Sequence, residues 1–133
     1  MLKQKLGDHI ICELTHCSFD ILNDKDFLSK LLVDSAIKGN AGVLGHLEHK
    51  FTPQGVTVIV LLAESHLTIH TFPELNYAAI DIFSCGNTIN TDLIFEEISK
   101  HVGGEMYVSR KNRGIHYTWS IYFNKLINKL KLL

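Results

Sequence analysis

Between Gly55 and Gly86 the chain gathers residue types able to do chemistry: Glu64, Ser65, His66, His70, Glu74 and Cys85. A hydroxyl, two imidazoles, two carboxylates and a thiol can supply a nucleophile, a base and an acid. Taken singly, each also has an ordinary structural role: Ser65 as a turn hydroxyl, His70 as a half-buried imidazole, Cys85 as a small buried hydrophobe. The spacing does not suggest a metal centre. On a regular strand His66 and His70 share a face but lie about 13 Å apart, at about 3.3 Å per residue. No CxxC or HExxH pattern occurs, so no metal is expected.

The elements that must hold these groups are legible around them. Val56 to Ala63 is apolar, rich in β-branched residues and too short to span a bilayer, which reads as a buried strand. It breaks at Glu64-Ser65-His66, where a buried strand would carry no polar run. Alternation resumes through Leu67, Thr68, Ile69 and His70, Pro73 punctuates, and Tyr77 to Phe83 forms a further strand leading to Ser84-Cys85-Gly86. Upstream, Leu6 to Leu14 reads as a first strand. Asn23 or Asp24 caps a helix whose apolar positions are Phe27, Leu28, Leu31, Leu32 and Ile37. Gly39 is expected to end that helix in the left-handed conformation. Gly39, Gly42 and Gly45 have the wrong spacing for a dinucleotide fingerprint, and Val43 to Phe51 reads as a strand.

Downstream, Asn90 or Thr91 caps a second helix with Ile94, Ile98, His101 and Val102 on one face, and Gly103-Gly104 ends it. Glu105 to Ser109 suggests a last strand, and Trp119 to Leu133 an amphipathic terminal helix. Runs of consecutive strands between helices predict an α+β fold, helices on one face of an antiparallel sheet. The 133 residues suit one domain. A net charge of −1 gives no reason to expect nucleic acid as a partner. Three cysteines form no even disulfide framework, which favours a reducing, cytoplasmic compartment. No membrane-spanning run or long apolar leader is visible in the sequence, so no membrane partner is expected.

The order Glu64-Ser65-His66-Leu67-Thr68-Ile69-His70-Thr71, then Pro73-Glu74, Tyr77-Ala78-Ala79-Ile80-Asp81, Phe83 and Cys85-Gly86, strongly resembles the processing region of the small bacterial and archaeal S-adenosylmethionine decarboxylases. Leu6, Gly7, His9, Glu13, Cys17 and Arg113-Gly114 fit the same pattern, and past Tyr117 the resemblance fades. It implies a two-layer α/β sandwich with two main helices on one face. It also implies a chain that cleaves itself between Glu64 and Ser65 into residues 1–64 and 65–133.

Decarboxylation needs an electron sink that no natural side chain provides. The resemblance implies that Ser65 becomes it: its hydroxyl attacks the Glu64 carbonyl, the ester eliminates, and hydrolysis leaves a pyruvoyl ketone, with no pyridoxal phosphate and no required metal. It further implies His70 as the processing base, Cys85 as the proton donor and Thr57 as a hydroxyl supporting processing, where relatives often have Ser. Phe51, Leu67, Phe72 and Glu74 are implied to contact substrate, the aromatics by stacking on adenine. Ser65 and His70 have opposite parity on an unbroken strand, so a turn near Glu64 is required. Phe72 stands where relatives carry Trp, and Asn76 where a Gly is common; Asn tolerates positive φ. The implied activity is conversion of S-adenosylmethionine to its decarboxylated form for polyamine synthesis, by a homodimer with sites near the subunit boundary. A pyruvoyl decarboxylase of arginine or ornithine, or an uncleaved non-catalytic relative, are the alternatives.

Overall fold

The computed structural model describes residues 2–116. The terminal helix expected from Trp119 lies outside them. Six strands form one sheet in the order β2-β3-β4-β5-β1-β6, every neighbouring pair antiparallel. They are β1 (Leu2–Thr15), β2 (Val43–Lys50), β3 (Val56–Leu62), β4 (Ser65–Phe72), β5 (Tyr77–Ser84) and β6 (Glu105–His116). The helices are α1 (Phe19–Leu22), α2 (Lys25–Lys38) and α3 (Thr91–Val102). The expected α+β architecture is the one observed. Two strands run longer than their local patterns suggest, because β1 and β6 pair with each other almost from end to end.

The caps follow from side-chain chemistry. Asp24 accepts a hydrogen bond from the Phe27 N–H at 3.0 Å, and Asn90 accepts one from the Leu93 N–H at 3.0 Å. Gly39 differs from expectation: its φ is −78°, and the left-handed residue is Asn40, with φ 65°. Glycine is needed at position 39 for space, since a Cβ there would lie 2.3 Å from Ile94 Cγ1. Asn76 does adopt the left-handed conformation, φ 52° and ψ 36°, after a 3-10 turn at Pro73–Leu75.

One face of the sheet is dry. Ile10, Cys12, Leu14, Val58, Val60, Leu67, Ile69, Ile80 and Ile82 pack there against Leu28, Leu32, Ile94 and Ile98 of the helices. Phe27 and Ile37, expected on the packed stripe of α2, and His101 of α3 are exposed instead. The alternate residues of each strand form the opposite face, which no described helix covers. On it Ile11, Ile59, Leu61 and Phe72 remain 48, 42, 54 and 42 % exposed, an apolar rim around a polar centre of histidines, threonines and Asp81.

Candidate active site

β3 and β4 form a tight hairpin in which Leu62 pairs with Ser65, leaving Ala63 and Glu64 as the turn. This turn precedes Ser65, and β4 then runs unbroken through His70, so the opposite parity of Ser65 and His70 stands. The two turn residues are held from both sides. The Ala63 N–H donates to the Gly42 carbonyl at 2.7 Å, and the Gly42 N–H donates in return to both carboxylate oxygens of Glu64, at 3.1 and 3.2 Å. Past the end of β5, the Cys85 N–H donates to the backbone carbonyl of Glu64 at 2.9 Å.

Ser65 follows with φ 146°, a conformation costly for a residue bearing a Cβ. Glu64, Ser65 and Cys85 thus meet at one end of the sheet, with Cys85 exposed. A backbone donor already rests on the carbonyl that Ser65 follows, and Ser65 itself is held at a strained φ. This arrangement suits an intramolecular acyl shift: the donor stabilises negative charge on the carbonyl oxygen, and strain raises the ground state.

His70 lies elsewhere on β4. It pairs in register with Thr57 on β3 and Ala79 on β5, and its Nδ1 lies 2.9 Å from Thr57 Oγ1. This hydrogen bond fixes the orientation of the His70 ring. The structure thereby joins Thr57 to His70 but does not join His70 to Ser65. At about 3.3 Å per residue, the two are roughly 16 Å apart along the strand. Phe72, Glu74 and Phe51 sit farther still, at the end of the sheet opposite Ser65. There Phe72 lies 5.8 Å from the Tyr77 ring and Phe51 4.6 Å from the His49 ring, centroid to centroid. Leu67 corrects an expectation: it is fully buried in the core, between β3 and β5, and does not face the open side of the sheet.

Two features carry no signal in the sequence. Gly42 reads as a loop glycine, yet it clamps the hairpin, and a Cβ on it would lie 3.1 Å from that of Ala63. His9, His66 and Asp81 converge from three strands. Both Nε2 atoms approach Asp81 Oδ2, at 2.9 and 3.1 Å, while Thr68 Oγ1 donates to Oδ1. Burial pushes the Asp81 carboxyl up, but the hydrogen bonds from Thr68, His9 and His66 outweigh it and hold the group below its ordinary value.

The chain is thus a two-layer α+β sandwich with a strained serine straight after a clamped hairpin, its hydroxyl next to a backbone carbonyl that already accepts a hydrogen bond. Comparison with known proteins names the family. The model of the S-adenosylmethionine decarboxylase family matches residues 8–114, and the chain belongs to that family. The S-adenosylmethionine decarboxylase proenzyme of Clostridium kluyveri is 55% identical over 86 residues, 65% of this chain and 68% of that one. The proenzyme of Geobacillus kaustophilus is 46% identical over 113 residues, covering 83% of this chain and 91% of its own. The crystal structure of the adenosylmethionine decarboxylase from Aquifex aeolicus superposes with a TM-score of 0.78 at 28% identity, over 85% of this chain and 94% of that one. The family is pyruvoyl-dependent in general. No helix among the described residues is long and apolar enough to cross a membrane.

Proposed function

We propose that this chain is a self-processing, pyruvoyl-dependent S-adenosylmethionine decarboxylase that supplies the aminopropyl donor for polyamine synthesis. The observation that carries the reading is the Glu64–Ser65 peptide, with the Cys85 N–H on its carbonyl and positive φ at Ser65. Ser65 Oγ attacks the Glu64 carbonyl carbon, the C–N bond breaks, and the nitrogen takes a proton, leaving an ester. A base removes the Ser65 α-proton and the Glu64 carboxylate departs from Cβ. Water then replaces the nitrogen as ammonia, leaving the ketone. A single well-placed backbone donor on the oxyanion is worth about 10²–10³ in rate. The donor set fits the implied group: a hydroxyl to become it, a backbone N–H to polarise its precursor and a thiol beside it. When formed, the ketone supplies the electron sink for carbon dioxide loss, with no pyridoxal phosphate and no metal required. Cys85 holds the proton to be returned to the substrate carbon.

His70 cannot reach Ser65 within one chain, so we propose that the site is shared. A two-fold axis lying along the open face and crossing β4 at right angles near its middle would bring the partner's His70 and Thr57 to the end of the sheet that carries Ser65. It would bring the partner's Phe51, Phe72 and Glu74 toward the same end, where the aromatics stack on adenine and the carboxylate holds ribose hydroxyls or the sulfonium charge. The uncovered apolar rim supports this arrangement, since two-fold dimers are the commonest way to bury such a face. The cysteines among the described residues are free thiols, which supports a reducing compartment such as the cytoplasm.

Intact-mass analysis is the decisive test of processing. The purified chain should separate into residues 1–64 and a 65–133 fragment with a blocked terminus, while Ser65→Ala stays whole. Cleavage in Ser65→Ala would refute the reading.

A further inference from the structure

His66 lies too far from His70 along β4 to share an ion with it, but it has nearer neighbours on the adjoining strands. β5 carries Phe83, which pairs in register with His66 on one side and His9 on the other, and Asp81 two residues along presents its carboxylate to the same face. Phe83 seats both rings: His9 lies edge-on at 5.8 Å and His66 stacked at 6.3 Å. The three ligand atoms lie within 4.8 Å of one another. We propose that His9, His66 and Asp81 form a binding site for a divalent transition-metal ion of the Zn2+ or Co2+ kind.

The distances are those an ion requires. With metal–ligand bonds of about 2.1 Å, neighbouring ligand atoms sit roughly 3.0 Å apart in an octahedral site and 3.4 Å in a tetrahedral one. The two Nε2 to Oδ2 separations, 2.9 and 3.1 Å, already match the octahedral edge. The third edge, between the two Nε2 atoms, is no longer than 4.8 Å. To ligate, each ring presents its Nε2 lone pair to the ion and carries its proton on Nδ1. Thr68 Oγ1 holds the other carboxylate oxygen, the kind of outer hydrogen bond that fixes a ligating carboxylate. Two of the three ligands, His9 and Asp81, also line a shallow cavity of about 290 Å³ together with Ile11, His70, Ala79 and Ile80, ample for water ligands. Two imidazoles and one carboxylate favour borderline transition metals over Mg2+ and Ca2+, which prefer all-oxygen shells. The cluster shares the open face with Thr57 and His70, yet ion binding is read without reference to decarboxylation.

Titration of the chelator-treated, full-length protein with Co2+, followed by visible absorption, tests the site. We expect one ion per chain. His9→Ala and Asp81→Asn should abolish stoichiometric uptake, and Thr68→Val should weaken it about 10–100-fold. His46→Ala should leave it unchanged, since the His46–Glu48 pair on β2 is the competing surface ligand set. Thermal unfolding verifies that each variant is folded; should His9→Ala or Asp81→Asn fail to fold, the loss in affinity of Thr68→Val decides. The proposal is overturned by absence of uptake, by uptake that survives these substitutions, by loss in His46→Ala, or by a thiolate-to-cobalt band placing the ion on Cys85.

Discussion

Co-expression of two inactive chains separates a shared site from one completed within each protomer. Ser65→Ala lacks the nucleophile, and His70→Ala lacks the base that β4 carries roughly 16 Å away, against a reach of about 3 Å for proton transfer. Expressed alone, neither variant should mature. In a heterodimer, the His70→Ala chain keeps its own Glu64–Ser65 bond and receives His70 from the partner. The other site of that heterodimer lacks both groups. Random two-fold pairing at equal expression places roughly half of the His70→Ala chains in heterodimers, so about half of them should be cleaved. Tagging the two chains differently lets intact mass report each one separately. Decarboxylase activity should recover to roughly a quarter of wild type, one working site in two on half of the dimers. No cleavage of the tagged His70→Ala chain in verified heterodimers would refute the shared geometry, as would a fully active monomer.

Three further outcomes follow from the packing and the charges. Gly39→Ala drives a Cβ to 2.3 Å from Ile94 Cγ1 and 2.9 Å from the Asn90 carbonyl; it should cost about 1–3 kcal/mol, and a thermal midpoint equal to wild type would show that α2 and α3 part easily. Tyr77 donates to Glu13 at 2.6 Å, and chiefly this bond, then burial and the Glu13 charge, pushes its hydroxyl up to about 12. Because the folded value is the raised one, its stabilisation is complete below about pH 10 and is lost between there and pH 12; ultraviolet titration should show a late tyrosinate that Glu13→Gln brings earlier. Burial, then the neighbouring Glu13 and Cys17, pushes Cys12 up to about 11, and Cys17 is raised by burial as well; iodoacetamide at pH 8 should therefore label Cys85 alone in the folded chain, and equal labelling of all three would contradict the packing.

What the sequence determined by itself is local or periodic. Asp24 and Asn90 cap helices because their short side chains reach their own backbone, and Asn76 takes the left-handed turn because few other residues can. The strand alternation around Leu67, Ile69, Ile80 and Ile82 marked the buried face, and the break at Glu64-Ser65 marked the hairpin where the chemistry is proposed. The tertiary structure decided what rests on register. Nothing within a few residues of Cys85 tells that its N–H will meet the Glu64 carbonyl, or that Gly42 will hold the same turn. His9, His66 and Asp81 meet only because β1, β5 and β4 lie side by side, an order that chain order does not reveal. Strand rise, too, matters only once β4 is known to run unbroken from Ser65 to Phe72. Ser65 and His70, five residues apart in the motif, are then held roughly 16 Å apart by one strand, the separation on which the proposed shared site rests.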